Sequence, residues 1–379
     1  MRHRVLPLIA AVFVLGAVAS ACNIPVFRYA LERWLPDNCE VLVFRDGPLL
    51  PGQREVLAPF EHATVNEQNR GLANLKIQHH LLGELDDDAG TLWEDLQKQG
   101  ATAPYMVVRT VVKRRFINNW HGPLEASAQV QLLNSPVRQE LLRRTLNGHS
   151  VVWLVAGSEA DRRRAMVDRL QNKLSQVERD MPLPDGIGLP GSELYSSVPL
   201  FMRFSVLELD TTKPEELYLA DLFHGFEPKA MDAGQPVVVP VFGRGRALEV
   251  IPGENIDDEL IDDLSQFLCG ACSCQVKEQN PGFDLLMAGN WHEALFSDLS
   301  PDELPAQVTS IVVSEAAENV APESVPIPQG LRNEQRGLKG EVPQDAVPDK
   351  PGRSSVLWIW CSVIAAAVVV VLLVRRPAV

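Results

Sequence analysis

The sequence predicts an α/β protein made of two consecutive units with the same element order, followed by a carboxy-terminal transmembrane helix. Short apolar runs typical of strands alternate with amphipathic stretches typical of helices, and the order β-α-β-α-β-β-α occurs twice between residues 23 and 300. Near the carboxy terminus, residues 356–374 carry no charged side chain. A run of that length spans the roughly 30 Å core of a bilayer.

The first unit, residues 23–148, is predicted to contain four strands and three helices. The predicted strands are 39–44, 73–82, 105–112 and 120–128, and the predicted helices are 53–62, 90–99 and 136–146. The last helix has the clearest ends. Ser135 is a favourable N-cap, Pro136 suits the first helical position, and Asn147-Gly148 favours termination.

The second unit, residues 149–300, repeats this order. Its predicted strands are 150–156, 200–209, 236–242 and 246–251, and its predicted helices are 161–181, 213–223 and 255–268. Gly243-Arg244-Gly245 separates the last two strands and predicts a tight hairpin, because glycine reaches the backbone conformations that such turns need.

The second half of each unit resembles thioredoxins, in which a cis-proline precedes a strand, a hairpin follows, and a helix ends the domain. Pro236 occupies the place of that cis-proline in the second unit, and Pro104 occupies it in the first. The chain therefore resembles a tandem pair of thioredoxin-like domains. The resemblance implies, for each unit, a central sheet with helices on both faces.

Neither unit carries the cysteines of an active thioredoxin. Those enzymes place Cys-x-x-Cys at the start of the helix after the first strand, where the helix terminus lowers the pKa of the attacking thiol. The corresponding stretches, residues 45–50 and 157–161, contain no cysteine. The resemblance thus implies scaffold domains and assigns no catalytic residue, while the question of enzymatic activity stays open.

Two further stretches, residues 22–34 and 272–282, resemble a group of uncharacterised bacterial envelope proteins with tandem thioredoxin-like domains. This resemblance covers most of the chain but implies no known activity.

A cysteine cluster, Cys269, Cys272 and Cys274, follows the last helix of the second unit. Outside the cytoplasm these thiols would oxidise to a structural disulfide, within the cluster or with Cys39. Alternatively, three thiolates and the imidazole of His292 would complete a tetrahedral zinc site or bind copper(I). A third interpretation is a redox-active Cys269–Cys272 pair resolved by Cys274.

The amino terminus, residues 1–22, predicts an export signal. Basic residues precede an apolar stretch that ends in Ala19-Ser20-Ala21, the small-residue pattern of signal peptidase sites. Cys22 follows directly and is a candidate for lipidation. The sequence leaves three outcomes open: a lipoprotein, a simply cleaved signal, or a retained anchor.

The carboxy-terminal region fixes the predicted orientation. Residues 301–355 are rich in proline and polar residues, which indicates an extended linker. Arg375 and Arg376 follow the predicted span, so the positive-inside rule places a short tail in the cytoplasm and the bulk of this single-pass cell-membrane protein outside it.

Net charge and topology narrow the expected partners. The formal charge of −14 argues against nucleic acid, whose phosphates attract clustered Lys and Arg. We expect a membrane-tethered interaction or scaffold protein with a protein partner in the envelope. The alternative is an envelope thiol oxidoreductase or metal carrier that uses the cysteine cluster.

Overall fold

The computed structural model describes residues 23–64, 72–112, 115–271, 277 and 280–299, and the backbone of Glu323–Ser324. The predicted signal, the rest of the linker and the predicted span at 356–374 lie outside these residues. Among the helices that the structure does describe, none has the length and hydrophobicity needed to cross a membrane.

The first half of the chain forms sheet 1 and the helices around it. Its helices are α1 (Val26–Arg33), α2 (Pro51–Ala63), α3 (Asp87–Lys98) and α4 (Pro136–Leu146), with a 3₁₀ turn at Leu124–Gln129. Its strands are β1 (Cys39–Arg45), β2 (Leu75–Leu81), β3 (Tyr105–Val112) and β4 (Arg115–Pro123).

The second half forms sheet 2. Its helices are α5 (Ala160–Asp180), α6 (Leu217–Phe226), α7 (Pro228–Asp232), α8 (Asp258–Cys269) and α9 (Trp291–Phe296), with 3₁₀ turns at Pro214–Glu216 and Gly253–Asn255. Its strands are β5 (Val151–Gly157), β6 (Phe204–Asp210), β7 (Val237–Phe242), β8 (Arg246–Ala247), β9 (Ile251–Pro252) and β10 (Phe283–Asp284).

The first four strands of each sheet have the same topology, and the fifth strand is parallel to its neighbour in sheet 1 and antiparallel in sheet 2. Sheet 1 has the order β11-β4-β3-β1-β2, where β11 is Glu323–Ser324, and sheet 2 has the order β10-β8-β7-β5-β6, with β9 also paired to β7. In each sheet the first two strands are parallel, the third is antiparallel to the first, and the fourth is antiparallel to the third. The predicted α/β class, with two sheets flanked by helices, is confirmed.

One apolar cluster joins the two sheets and several helices. Val41 and Val43 of β1 belong to the same buried cluster as Val152 and Leu154 of β5, together with apolar residues of α2, α4, α6 and α9. The opposite face of sheet 1 packs on α3, and the opposite face of sheet 2 packs on α1, α5 and α8. Both halves therefore share one core and belong to one compact unit.

Candidate functional site

The sites of interest lie at the carboxyl ends of β1 and β5, where the resemblance places redox cysteines. After β1, Pro51 opens α2, and the Leu50 N–H donates to Gln53 Oε1 at 2.9 Å. The Leu50 side chain is 64% exposed. Gln53 Nε2 donates in turn to Glu125 Oε1 at 2.9 Å. This position thus offers an exposed leucine and a polar pair, and no thiol.

The corresponding position in the second half holds a buried arginine. Arg163 lies in the first turns of α5 and donates from Nη1 to the Gly157 carbonyl at 2.7 Å. Its guanidinium also lies 3.6 Å from Glu208 and 3.5 Å from Asp210, both on β6. The guanidinium joins the ends of β5 and β6, so a structural ion cluster occupies the place of the second redox site.

The two candidate cis-prolines differ. The Ala103–Pro104 peptide bond, directly before β3, is the one cis bond among the described residues. The expectation for Pro236 is wrong, because the Gln235–Pro236 bond is trans. Pro236 instead lies extended beside the start of β7, and its carbonyl accepts the Gly253 N–H at 2.8 Å. Trans is the preferred state of a prolyl bond unless the surroundings select the other isomer.

The described thiols are buried and reduced. Cys269 ends α8 inside the apolar cluster of sheet 2, and burial raises its pKa to about 12. Cys39 is fully buried, and burial raises its pKa to about 11, against a smaller opposing effect from Thr110 and Tyr218. Both are free, so the expected disulfide to Cys39 is not formed, and Cys269 takes no part in a disulfide within the cluster. Cys22, Cys272 and Cys274 lie outside the described residues.

A metal site is not assembled by the part of the chain that is described. Within it, no group of three or more His, Cys, Asp and Glu side chains is placed to hold a metal ion. His292 lies on α9, with its ring 5.8 Å from that of Phe296. Cys269 faces the core, and its raised pKa opposes the thiolate that a metal requires.

Both described neighbours of the cysteine-bearing stretch are anchored at α1. Ala271 forms a β-bridge with Pro25, immediately before α1. Lys277 donates to the Leu35 carbonyl, just beyond α1, at 2.7 Å. Lys277 also lies 2.8 Å from Asp37 and 2.5 Å from Asp284. Ala271 and Lys277 therefore contact the residues that flank the two ends of α1.

The interior between the two halves contains a polar network that sequence reasoning missed. Tyr218 of α6 bonds to Thr110 of β3 at 3.1 Å and to Asn119 of β4 at 3.0 Å, and its hydroxyl lies 3.7 Å from the Cys39 thiol. All four side chains are buried. The network crosses from sheet 1 to a helix of the second half, and it joins residues up to 179 positions apart.

A buried arginine reinforces the same junction. Arg138 of α4 donates to the carbonyls of Gln131, Leu132 and Leu286, and to the Ser135 hydroxyl. The Glu216 carboxylate accepts from Ser135 and from the Val137 N–H, at 2.6 and 2.8 Å. Nothing in the local pattern marks these residues, because arginine and glutamate in a helix usually face solvent.

Two small cavities lie beside α1, and each has a volume of about 10 Å³. One is lined by Trp34, Arg246, Lys277 and Asp284, and the other by Arg28, His149 and Gly243. A volume of that order holds about one water molecule.

No protein-family model, curated protein or solved structure matches this chain.

Proposed function

We propose that the chain is a membrane-tethered interaction protein of the cell envelope, in which two thioredoxin-like repeats form a scaffold. One observation carries the thioredoxin-like assignment: both sheets have the strand order fourth, third, first, second, with the first two strands parallel and the third antiparallel to the first. That arrangement is the one expected of thioredoxin-like domains, and it occurs twice.

The residues at the two positions expected for redox cysteines support the scaffold role. Leu50–Gln53 and the Arg163 ion cluster occupy these two positions, and neither can form a mixed disulfide with a substrate. The described thiols of Cys39 and Cys269 are buried, with pKa values raised to about 11 and about 12. Thiolate is the nucleophile in exchange, so both thiols are expected to be inert at neutral pH.

The cysteine cluster supports a second candidate, a thiol or soft-metal site formed by Cys272 and Cys274. The observation in its favour is the double anchoring of their neighbours Ala271 and Lys277 at α1. A thiol–disulfide exchange site without Cys269 would use Cys272 and Cys274 as a Cys-x-Cys pair. A metal site would need further ligands besides these two thiols. Under this candidate the protein is an envelope oxidoreductase or metal carrier.

Thiol chemistry on the full-length protein separates the two candidates. We expect iodoacetamide to leave Cys39 and Cys269 unmodified in the native protein and to modify both in urea, as read by peptide mass spectrometry. We also expect no reduction of insulin above background. Insulin reduction that disappears in Cys272→Ser and persists in Cys269→Ser would establish the second candidate, as would retained zinc or copper after dialysis.

Topology is tested separately with alkaline phosphatase, which is active only outside the cytoplasm. A fusion after residue 350 is expected to be active in a bacterial host, and a fusion after residue 379 inactive. Truncation after residue 355 should release the body from sedimented membranes if Cys22 is not lipidated. Continued sedimentation of the truncated chain, abolished by Cys22→Ser, would indicate a lipid anchor at the amino terminus. Equal activity of the two fusions would overturn the proposed orientation.

A further inference from the structure

At one edge of each sheet lies a strand that pairs on one side only, β2 in sheet 1 and β6 in sheet 2. We call its unpaired side the open side. The Cys39 N–H donates to the Asn74 carbonyl, and the Leu82 N–H donates to the Arg45 carbonyl. Even-numbered residues around β2 therefore bond to β1, and the odd-numbered residues direct their backbone groups outward. The Ser150 N–H donates to the Arg203 carbonyl, so the even-numbered residues of β6 point outward.

The open side of β6 is closed by side chains of the protein itself. The Glu178 carboxylate of α5 accepts the outward N–H of Phe204. Arg144 of α4 donates from Nη1 to the outward carbonyl of Val206 at 2.9 Å. Charged side chains on an edge prevent pairing with another strand, because they occupy the backbone groups that the strand would need.

Among the described residues, no side chain closes the open side of β2 in this way. The outward N–H and C=O groups of Ile77 and His79 have no hydrogen-bond partner within the described ranges. Only the end groups are used, where Leu75 N–H bonds to Ala73 and the Leu81 carbonyl accepts from Glu84. The strand is seven residues long, contains no proline, and pairs with β1 without a register shift.

We propose that the β2 edge binds an extended peptide segment of a partner protein, which adds a strand to sheet 1. Backbone hydrogen bonds supply the attachment, and side chains on the two faces supply selectivity. This inference names the docking surface of the proposed interaction protein and rests on that function.

The side chains beside the edge define the chemistry of the peptide. Lys76 is exposed and forms no ion pair with any residue that the structure describes, and it shares a face with Gln78 and His80. Ile77 lies half-buried on the other face, in contact with the shared core. Glu40, opposite Lys76 on β1, accepts from Arg109 and Gln78 and is engaged by them. On the face of Ile77, Glu61 lies 3.8 Å from His79. The edge therefore fits a segment with an acidic residue beside Lys76 and an apolar residue over Ile77.

Binding is tested with the full-length protein in detergent and two labelled eight-residue peptides. One peptide alternates valine and glutamate, and the other alternates valine and lysine. Fluorescence anisotropy is expected to show at least tenfold tighter binding of the glutamate peptide. The same peptide should slow hydrogen exchange at the amides of Ile77, His79 and Leu81. Lys76→Glu is expected to remove the preference between the peptides.

A matched pair of variants tests the backbone contact. His79→Pro removes an outward N–H without removing a bond to β1, and His79→Ala retains that N–H. We expect at least tenfold weaker binding for His79→Pro and less than a twofold change for His79→Ala. If His79→Pro fails to fold, a glutamate peptide N-methylated at alternate residues replaces it and should not bind the unaltered protein.

Three outcomes would overturn the docking site: equal binding by both His79 variants, equal binding of both peptides, or slow exchange at Ile77 and His79 without peptide. The last would show that another segment of this chain already covers the edge. Failure here is distinct from failure of the proposed function. Insulin reduction or a cytoplasmic body would end the scaffold role and leave peptide binding unchanged.

Discussion

Buried arginines join backbone carbonyls that would otherwise lack donors. Arg28 donates to the carbonyls of Val198 and Ser196 and to Glu32, at distances of 2.6 to 2.7 Å. Arg244 donates to the carbonyls of Leu31 and Glu32 at the end of α1. A guanidinium presents five donors in a fixed plane, so one side chain satisfies several carbonyls. The sequence does not reveal these roles, because they depend on loops more than 160 positions away.

Substitution of Arg138 tests this principle. Arg138→Met is expected to lower the free energy of unfolding by about 3 kcal/mol, because three carbonyls and a hydroxyl lose their donor in the interior. Arg138→Lys should lose about half as much, since an ammonium group satisfies fewer of them at once. Urea unfolding measures both. The exposed Arg143→Met is the control, and an equal loss there would exclude a specific role for Arg138.

Asp221 provides a test through pH. Burial raises its pKa to about 6, with a smaller opposing effect from His224. Since the folded pKa lies above the unfolded value of about 4, ionisation destabilises the fold increasingly from pH 4 and fully above pH 6. Asp221→Asn should therefore stabilise the protein by about 2 kcal/mol more at pH 8 than at pH 4. The exposed Asp263→Asn should show no such difference in urea unfolding. A pH-independent effect of Asp221→Asn would contradict the burial argument.

Among the elements, those with local end signals were predicted best. Helix α4 runs from Pro136 to Leu146 as expected, and the Ser135 hydroxyl accepts the Arg138 N–H at 3.4 Å. Strand β4 was predicted at 120–128 but lies at Arg115–Pro123. Pairing with β3 recruits the polar residues before Trp120, and Pro123 ends the ladder because it has no N–H to donate. Propensity alone could not indicate that tertiary pairing.

Helix α1 was not predicted, although a signal for it exists. Phe27, Ala30 and Leu31 recur at helical spacing after Pro25. Phe27 and Ala30 are buried against sheet 2, and Leu31 is buried in the shared core. The short α9 and strand β10 have no comparable pattern. They form because residues 283–296 pack into the core that both halves share, which no local rule anticipates.

The turn Gly243-Arg244-Gly245 has a geometry that requires glycine, and a substitution there tests this requirement. Gly245 has a φ of +96°, and a Cβ there would clash with the Met287 side chain. Gly245→Ala is therefore expected to cost about 2 to 4 kcal/mol, from the left-handed backbone and the overlap together. Gly52→Ala is the matched control. It lies in α2 with no atom near its added Cβ, and it should stabilise by about 0.5 kcal/mol. Thermal unfolding compares the two, and equal effects would contradict this account.

For the whole molecule, the sequence predicted the repeated order of elements but not the way the repeats combine. The units 23–148 and 149–300 were expected to be separate domains. The structure places apolar residues of α2, α4, α6 and α9 in a single cluster with strands of both halves. Long-range packing of that kind leaves no mark in local periodicity. The candidate sites show the same difference. The sequence alone shows that neither expected redox position holds a cysteine, but it does not indicate the Tyr218 network.

The shared core predicts the behaviour of the separated halves. A fragment of residues 23–148 exposes the face of sheet 1 that α6 and Tyr218 cover, and it is expected to remain unfolded by circular dichroism. Co-expression with residues 149–300 should restore a soluble complex. The intact body should unfold in one cooperative transition by calorimetry. Two separated transitions, or a stable isolated first half, would show that the repeats are independent.

The position of α9 also determines how the protein would respond to mechanical load. Trp291, Leu295 and Phe296 are buried in the shared core, and the linker begins a few residues later. A pull on the linker first loads the two-residue ladder between β11 and β4, and beyond that ladder it is transmitted into packing that involves both sheets. Contacts loaded together resist force better than contacts loaded in succession. If the protein is held at a membrane while a partner pulls on it, the burial of α9 in the core would increase its resistance to unfolding by force.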